Sequence, residues 1–290
     1  MKVTIVVVTY NSAALLPAFF ASLPDAAADL AYELVVADNA STDASVDLAR
    51  AAGATVVELE RNVGYSAGIN AAVGVAQPSD AIYVLNPDIR LAADSIRPLV
   101  DALELPNTAI SVPRMLNPDG TVAWSLRREP SPLRVAGEAI LGGNRSGRFA
   151  ALGEQVVGVQ RYTDATTADW ATGAAMCISR SAWDVLGPWD ESFFLYAEET
   201  EYALRAKDAG LVLRYVPDAS VTHIGGEMAT DPALWSLCVV NKLRLYRRRH
   251  GRARSFAFHA ALVLNEALRA PSRPASRAGL AALLLRSRRR

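Results

Sequence analysis

The sequence predicts an α/β fold built on a mostly parallel sheet. Three observations carry that expectation. Val3 to Thr9 is a nearly unbroken β-branched run, the mark of a strand buried on both faces. Strand-like and helix-like segments then alternate to about residue 113, which implies right-handed crossovers between parallel strands. Each strand also stops at small, polar or turn-forming residues, at the sheet end where open α/β folds place their ligands.

The elements follow in order. After the first strand, Asn11-Ser12 can cap a helix running to about Leu23. Glu33 to Ala37 is the second strand, and Ser41, Thr42 or Asp43 caps a helix to about Ala52. Thr55 to Leu59 is the third strand, followed by a turn and helix over Asn62 to Val75. Ala81 to Leu85 is the fourth, closing in Asn86-Pro87-Asp88. Leu91 to Leu103 is expected to be helical and Thr108 to Val112 to be the fifth strand. From about 114 to 165 the pattern degrades, and Pro113, Pro118, Pro130, Pro132, Gly142-Gly143 and Gly147 mark a long irregular stretch. Order returns over Ala168 to Ile178, then a short helix from about Ser181, an acidic helix, and strands at Leu211 to Val216 and Ala219 to His223. The last fifty residues are Arg-rich and helical.

Length and composition suit one large α/β domain or two small ones, and 51% hydrophobic residues fill a full core. The formal net charge is +0, but unevenly spread. From Lys242 onward there are one Lys, thirteen Arg and the single acid Glu266, so this segment is about +13 and the rest about −13. The two cysteines, Cys177 and Cys238, have no metal or disulfide-framework spacing, which fits a reducing cytosol. Met1 to Val8 is too short for a signal segment, and no apolar run nears the roughly 20 residues that span a bilayer.

Several enzyme classes are disfavoured. Thr9-Tyr10-Asn11-Ser12 stands after the first strand where a dinucleotide site needs G-x-G-x-x-G, and no G-x-x-x-x-G-K-[ST] loop occurs. A nucleotidyltransferase would want a basic glycine-rich loop near the first strand, and none is there. What stands out is Phe193 to Arg205, an aromatic run leading into Glu198, Glu199 and Glu201 with Arg205 as the nearest cation. Crowded carboxylates beside aromatics suit a general base, while a solvated first helical turn is the bland alternative.

Six motifs in order resemble the family 2 glycosyltransferases of GT-A fold, and within them the rhamnosyltransferase-like branch. They are Val7 to Ser12, Asp38 to Asp43, Asn62 to Asn70, Leu85 to Asp88, Thr172-Gly173-Ala174, and Phe193 to Arg205. The resemblance runs from about residue 2 to 250. It implies a Rossmann-like, mostly parallel central sheet with flanking helices, a small antiparallel element and a C-terminal helical extension. The expected division is a catalytic domain over 1–242, with a nucleotide-binding half at 1–113 and an acceptor half at 114–242, then a basic extension at 243–290.

The resemblance also implies roles. Thr9, Tyr10 and Asp38 would hold the nucleotide base, Tyr10 by stacking unless it is a packed loop aromatic. Asn62, Gly64 and Gly68 would admit the ribose or diphosphate, or else serve a turn and a close helix contact. Asn86 to Asp88 stands in place of an Asp-x-Asp element, with Asn86 one charge short. Asp88 would bind Mg²⁺ or Mn²⁺, joined by His223 if that residue is a ligand rather than a packed histidine. Glu199 stands where the family reads Asp and inherits the role of catalytic base, with Glu198 as runner-up. Trp170, Thr172, Gly173, Trp189, Asp190 and Phe194 would shape the sugar and acceptor pocket, unless the aromatics are core. Arg205 is expected to pair with the acidic cluster.

The expected reaction is therefore inverting transfer of a sugar from a nucleotide-sugar donor to a hydroxyl of a glycan or polyprenyl-linked saccharide. dTDP-L-rhamnose is the preferred donor, with a UDP-hexose as alternative. A binding protein that has lost catalysis is the rival class, resting on Asn86 and Glu199. The basic tail predicts a peripheral protein on the cytoplasmic face, bound to an anionic membrane. A solvated tail or a homodimer contact is the other reading of it. Nucleic acid finds no reading motif in the tail.

Overall fold

In the computed structural model, residues 1–225 and 231–287 are described. Gly226, expected beside His223, and Arg288 to Arg290 of the basic tail lie outside them. The chain forms two compact units. The first comprises Met1–Ser125, Tyr162–Phe194 and Glu198–Ile224. The second comprises Leu126–Arg161, Leu195–Ala197 and the chain from Gly225.

Nine strands of the first unit make one sheet. β1 (Lys2–Thr9), β2 (Ala31–Asp38), β3 (Thr55–Glu58) and β4 (Ala81–Leu85) are mutually parallel, in the order β3-β2-β1-β4. β1 is buried almost throughout because its β-branched side chains meet helices on both faces. The sheet continues through antiparallel β10 (Ala175–Ser179) to β6 (Thr108–Leu116) and β11 (Val212–His223), which are parallel to each other. Short β5 (Ile89–Leu91) and β8 (Thr166–Ala168) both pair antiparallel with β11. The core lies under α1 (Leu16–Ala27) and α4 (Arg97–Leu103) and gathers Ile5, Val7, Phe19, Tyr83, Leu85 and Leu99. The expected mostly parallel α/β sheet is present.

Some expectations need correction. The helix anticipated over Leu91 to Leu103 is only α4. Ile89-Arg90-Leu91 is drawn into the sheet by β11, and Asp94 turns the chain at φ 55°. The two strands expected at 211–223 are one strand, β11, with an irregularity between Val216 and Ser220. The stretch from 114 to 165 contains a helix, α5 (Pro132–Leu141), whose Ser131 side chain accepts from the Arg134 N–H. Pro132 there is a helix starter, since its missing N–H costs nothing in the first turn.

The second unit is helical. It opens on the short strand β7 (Leu126–Arg127) and contains α5, α6 (Gly143–Ser146) and three long helices, α9 (Pro232–Arg249), α10 (Arg252–Arg269) and α11 (Pro274–Ser287). Val135, Leu243, Tyr246, Phe258, Leu262 and Leu283 form its core. The Lys242 ammonium meets buried Glu154 at 2.6 Å. The expected division at 242/243 therefore falls inside α9, and the one at 113/114 falls inside β6.

Candidate active site

Strand register levels the ligand-binding end of the sheet. Thr9 lies opposite Asp38, and Val7 opposite Leu85. β10 enters with Ala175 opposite Leu85, so the preceding Thr172-Gly173-Ala174 arrives at the same end, where the Asn86 N–H donates to the Ala174 carbonyl at 2.9 Å. β11 finishes with His223 opposite Ile89.

At the β1 and β2 ends, Tyr10 is 54% exposed and offers a ring face. Thr9 has no exposed surface, and its hydroxyl donates to Asp38 Oδ1 at 2.7 Å. Ser41 adds its N–H to Oδ2 at 2.8 Å and its hydroxyl to Oδ1. Thr9 thus fixes Asp38, which is itself 2% exposed, and Tyr10 is the one of the three expected base-binding residues with an open surface.

The two glycines of the third loop are accounted for by packing. A Cβ on Gly64, which has φ +96°, would sit 2.3 Å from the Phe194 carbonyl oxygen, and one on Gly68 would sit 2.7 Å from Val8. Their missing side chains admit protein, not ligand. The Asn62 side chain accepts from the Gly64 N–H at 3.1 Å, and the Tyr65 N–H donates to Phe194 O at 2.8 Å. Gly64→Ala is expected to destabilise the fold by about 3 kcal/mol, from backbone strain and the clash with a main-chain oxygen. Urea unfolding checks it, and an unchanged midpoint would refute the packing role.

α8 (Glu198–Asp208) begins with the acidic cluster. Glu201 bonds Arg205 at 3.0 Å, and Arg205 also donates to the carbonyls of Leu186 and Pro188. Within the acidic cluster, Arg205 engages Glu201. Glu198 is buried and Glu199 half-buried. A Cβ on Gly173 would lie 2.8 Å from Glu199 Cβ and 3.1 Å from its Cγ, so only glycine leaves this glutamate its place.

Tyr65 ties these groups together. It opens α3 (Tyr65–Val75), its ring meets Trp189 edge-to-face at 6.2 Å, and its hydroxyl reaches toward the Gly173 carbonyl at 3.4 Å. Burial, with the charges of Glu198, Asp88 and Glu199 around it, holds that hydroxyl well above the usual tyrosine range. Asp88 at the end of β4 and Glu198 and Glu199 of α8 thus all disfavour the phenolate form of Tyr65.

Trp189 is 1% exposed, stacks on Tyr202 at 5.2 Å, and has its backbone clasped by the Asn70 amide, whose contacts are both 2.9 Å. It is a core residue that backs Tyr65, not a pocket wall. The Asp190 carboxylate accepts from the Ser192 N–H at 2.9 Å and shapes a turn. Trp170 in β9 (Trp170–Ala171) and Thr172 are half-buried, and Phe194 is 43% exposed.

Asp88 Oδ2 lies 3.1 Å from His223 Nε2, and the Ile224 N–H donates to the Asp88 carbonyl at 3.0 Å. Arg90 braces this turn from behind, donating to the carbonyls of Pro87, Ile89 and Leu15. Among the described residues no three His, Cys, Asp or Glu side chains form a complete metal cluster. Yet Asp88 Oδ1 is buried with no hydrogen-bond partner among the described residues, while Oδ2 faces an imidazole nitrogen. That donor pair fits a hard divalent cation drawing its other ligands from phosphate and water.

Comparison with known proteins decides the family. The profile "Glycosyl transferase family 2" matches residues 4–157. The chain belongs to glycosyl transferase family 2. This glycosyltransferase is 30% identical over 235 residues to the N-acetylglucosaminyl-diphospho-decaprenol L-rhamnosyltransferase of Mycobacterium tuberculosis, covering 76% of this chain and 75% of that protein. Its fold resembles the mannosyltransferase PcManGT from Pyrobaculum calidifontis, solved with GDP-Man and Mn²⁺. There the TM-score is 0.59 and the identity 18%, over 98% of this chain and 75% of that one. GalNAc-T7, solved with UDP, GalNAc and Mn²⁺, gives a TM-score of 0.60 at 16% identity, over 84% of this chain. This chain spans 47% of that protein's length. The GT-A architecture of this glycosyltransferase is therefore shared with enzymes of quite different sequence.

Sequence reasoning had not assigned roles to Tyr65, Asn70 and Arg90. Tyr65 directly follows Asn62-Val63-Gly64, and an aromatic placed immediately after that turn was the available signal. Asn70 and Arg90 bind main-chain atoms distant in sequence, which no local pattern shows.

Proposed function

We propose that this glycosyltransferase inverts the donor's anomeric centre and delivers L-rhamnose from dTDP-rhamnose to a hydroxyl of a polyprenyl-diphosphate-linked saccharide. The observation that carries the chemistry is Glu199, half-buried in the first turn of α8 and packed against Gly173, which the register of β10 brings to the ligand-binding end of the sheet. The likeness to a rhamnosyltransferase acting on a decaprenol-linked sugar supports the donor and acceptor.

Glu199, half-buried against Gly173, takes the proton from the acceptor hydroxyl as it attacks the anomeric carbon. Glu198, one residue earlier and 3% exposed, is the alternative base. Tyr65 stays protonated and directs its hydroxyl toward the Gly173 carbonyl beside Glu199. Tyr10 stacks on the base, and the ordered Asp38 carboxylate accepts a base N–H. Asp88 and His223 would hold Mg²⁺ or Mn²⁺, as the Mn²⁺ in two solved neighbours supports. When bound, the ion would neutralise charge on the departing diphosphate. Attack opposite the leaving group inverts the centre without a covalent glycosyl-enzyme.

The donor is tested by thermal stabilisation across a nucleotide-sugar panel with and without Mn²⁺. dTDP and dTDP-rhamnose are expected to raise the melting temperature most. Stabilisation by UDP-glucose or UDP-galactose, with none by the dTDP compounds, would reverse the assignment in favour of a UDP-hexose enzyme.

A further inference from the structure

Helix α10 is apolar on two opposite sides. One side, carrying Phe258 and Leu262, builds the core of the helical unit, where Phe258 stacks on Tyr246 at 3.8 Å. Glu266, 2% exposed, is turned inward and accepts from Trp235 Nε1 at 2.8 Å. The other side presents Phe256, Ala257, Ala260, Leu264, Ala267 and Leu268, all exposed and spaced by threes, fours and sevens along one face. Phe256 is 75% exposed and Leu268 54%. A surface helix ordinarily puts charge there, yet this face bears none between Arg254 and Arg269.

Charge returns only at the ends of the helix. Arg252 and Arg254 are exposed at its start, and Arg273 and Arg277 just past its finish. Glu266 is the one acid in the chain from Lys242 on, and it is buried, so no exposed acid offsets these cations within this segment. α11 adds exposed Leu284 and Leu285. No helix among the described residues is long and apolar enough to cross a membrane.

We infer that the exposed face of α10 lies flat on an anionic lipid surface, with Phe256, Leu264 and Leu268 in the acyl boundary and the flanking arginines at phosphate level. Charge complementarity selects this occupant. A lipid surface supplies an apolar layer edged by phosphates, matching an apolar stripe edged by arginines. A second copy docked face to face by two-fold symmetry would set like charges against each other. The inference deepens the lipid-linked acceptor reading and rests on it for its purpose, since a polyprenyl acceptor is reached from the bilayer.

The test is co-sedimentation of the full chain with vesicles of phosphatidylcholine mixed with phosphatidylglycerol, against phosphatidylcholine alone, at low and high salt. Binding is expected to the anionic vesicles and to fall as salt screens the arginines. Leu264→Asp with Leu268→Asp should weaken partitioning by about tenfold or more, and Arg252→Ser or Arg254→Ser by about fivefold each. Circular dichroism and melting temperature show whether the variants are folded, and Phe256→Ser gives a milder alternative if the double variant is not. Absence of binding by the folded wild type at low salt would overturn the inference. So would unchanged binding in the folded variants, or a concentration-dependent dimer that the same substitutions abolish. Transfer to a short-chain, water-soluble prenyl-diphosphate-linked saccharide separates the two readings. Vesicle binding without such transfer would sink the acceptor assignment and leave the membrane face standing, whereas transfer without vesicle binding would do the reverse.

Discussion

Glu199→Gln is expected to lower kcat by about 10²-fold or more while leaving donor nucleotide binding nearly unchanged. The substitution keeps the size of the side chain and its place against Gly173, where a Cβ would come within 2.8 Å, so geometry is conserved and only proton acceptance is lost. An equal fall in kcat and kcat/KM is the signature expected of an interaction made as the acceptor attacks. Nucleoside diphosphate affinity, read by calorimetry, should stay within about twofold of wild type, because the groups assigned to the nucleotide stand on other loops. Wild-type turnover in Glu199→Gln, with a large fall in Glu198→Gln, would move the base to Glu198. A fall in both with unchanged fold would show that transfer needs both carboxylates.

The parallel half of the sheet was legible because its strands have a local cause. Val3 to Thr9 and Ala81 to Leu85 are apolar runs that bury on both faces whatever lies elsewhere in the chain. β5 was not legible, because Ile89-Arg90-Leu91 is a strand only by virtue of β11, more than a hundred residues away. α5 was obscured by Pro132, whose position in the first turn is a helix signal rather than a break. At the site, polar loops after the strands marked the ligand-binding end. Their division of labour, however, depends on burial. Thr9 and Trp189 have site-like chemistry, yet both are wholly enclosed and act by holding Asp38 and Tyr65. Gly64 and Gly68 carry a motif that suits phosphate approach, and the atoms opposite them are Phe194 and Val8. A motif names residue types at a spacing, and only tertiary contacts show whether the space they leave is taken by ligand or by chain.

Asp88→Ala should remove the metal-dependent part of donor binding and lower kcat/KM by on the order of 10²-fold. Asp88 carries the negative charge of the Asp88–His223 pair, and its buried Oδ1 has no protein partner among the described residues to satisfy it. An unpaired buried carboxylate oxygen is costly unless a cation or donor arrives, so the substitution removes both a ligand and the reason for the site's polarity. Asn86 supplies no charge, so the rest of the coordination would fall to the donor's phosphates and water. Mn²⁺ affinity measured by calorimetry should accordingly be weak alone and strong once a nucleoside diphosphate is present. Both should be lost in Asp88→Ala, with His223→Gln weakening them by about tenfold. Chelation by EDTA should abolish turnover in the wild type and be reversed by added Mn²⁺. Full turnover after exhaustive stripping would show that Asp88 and His223 pair only with each other. Arg90, which braces the turn and feels the charge of Asp88, would then be a cation left to act on it.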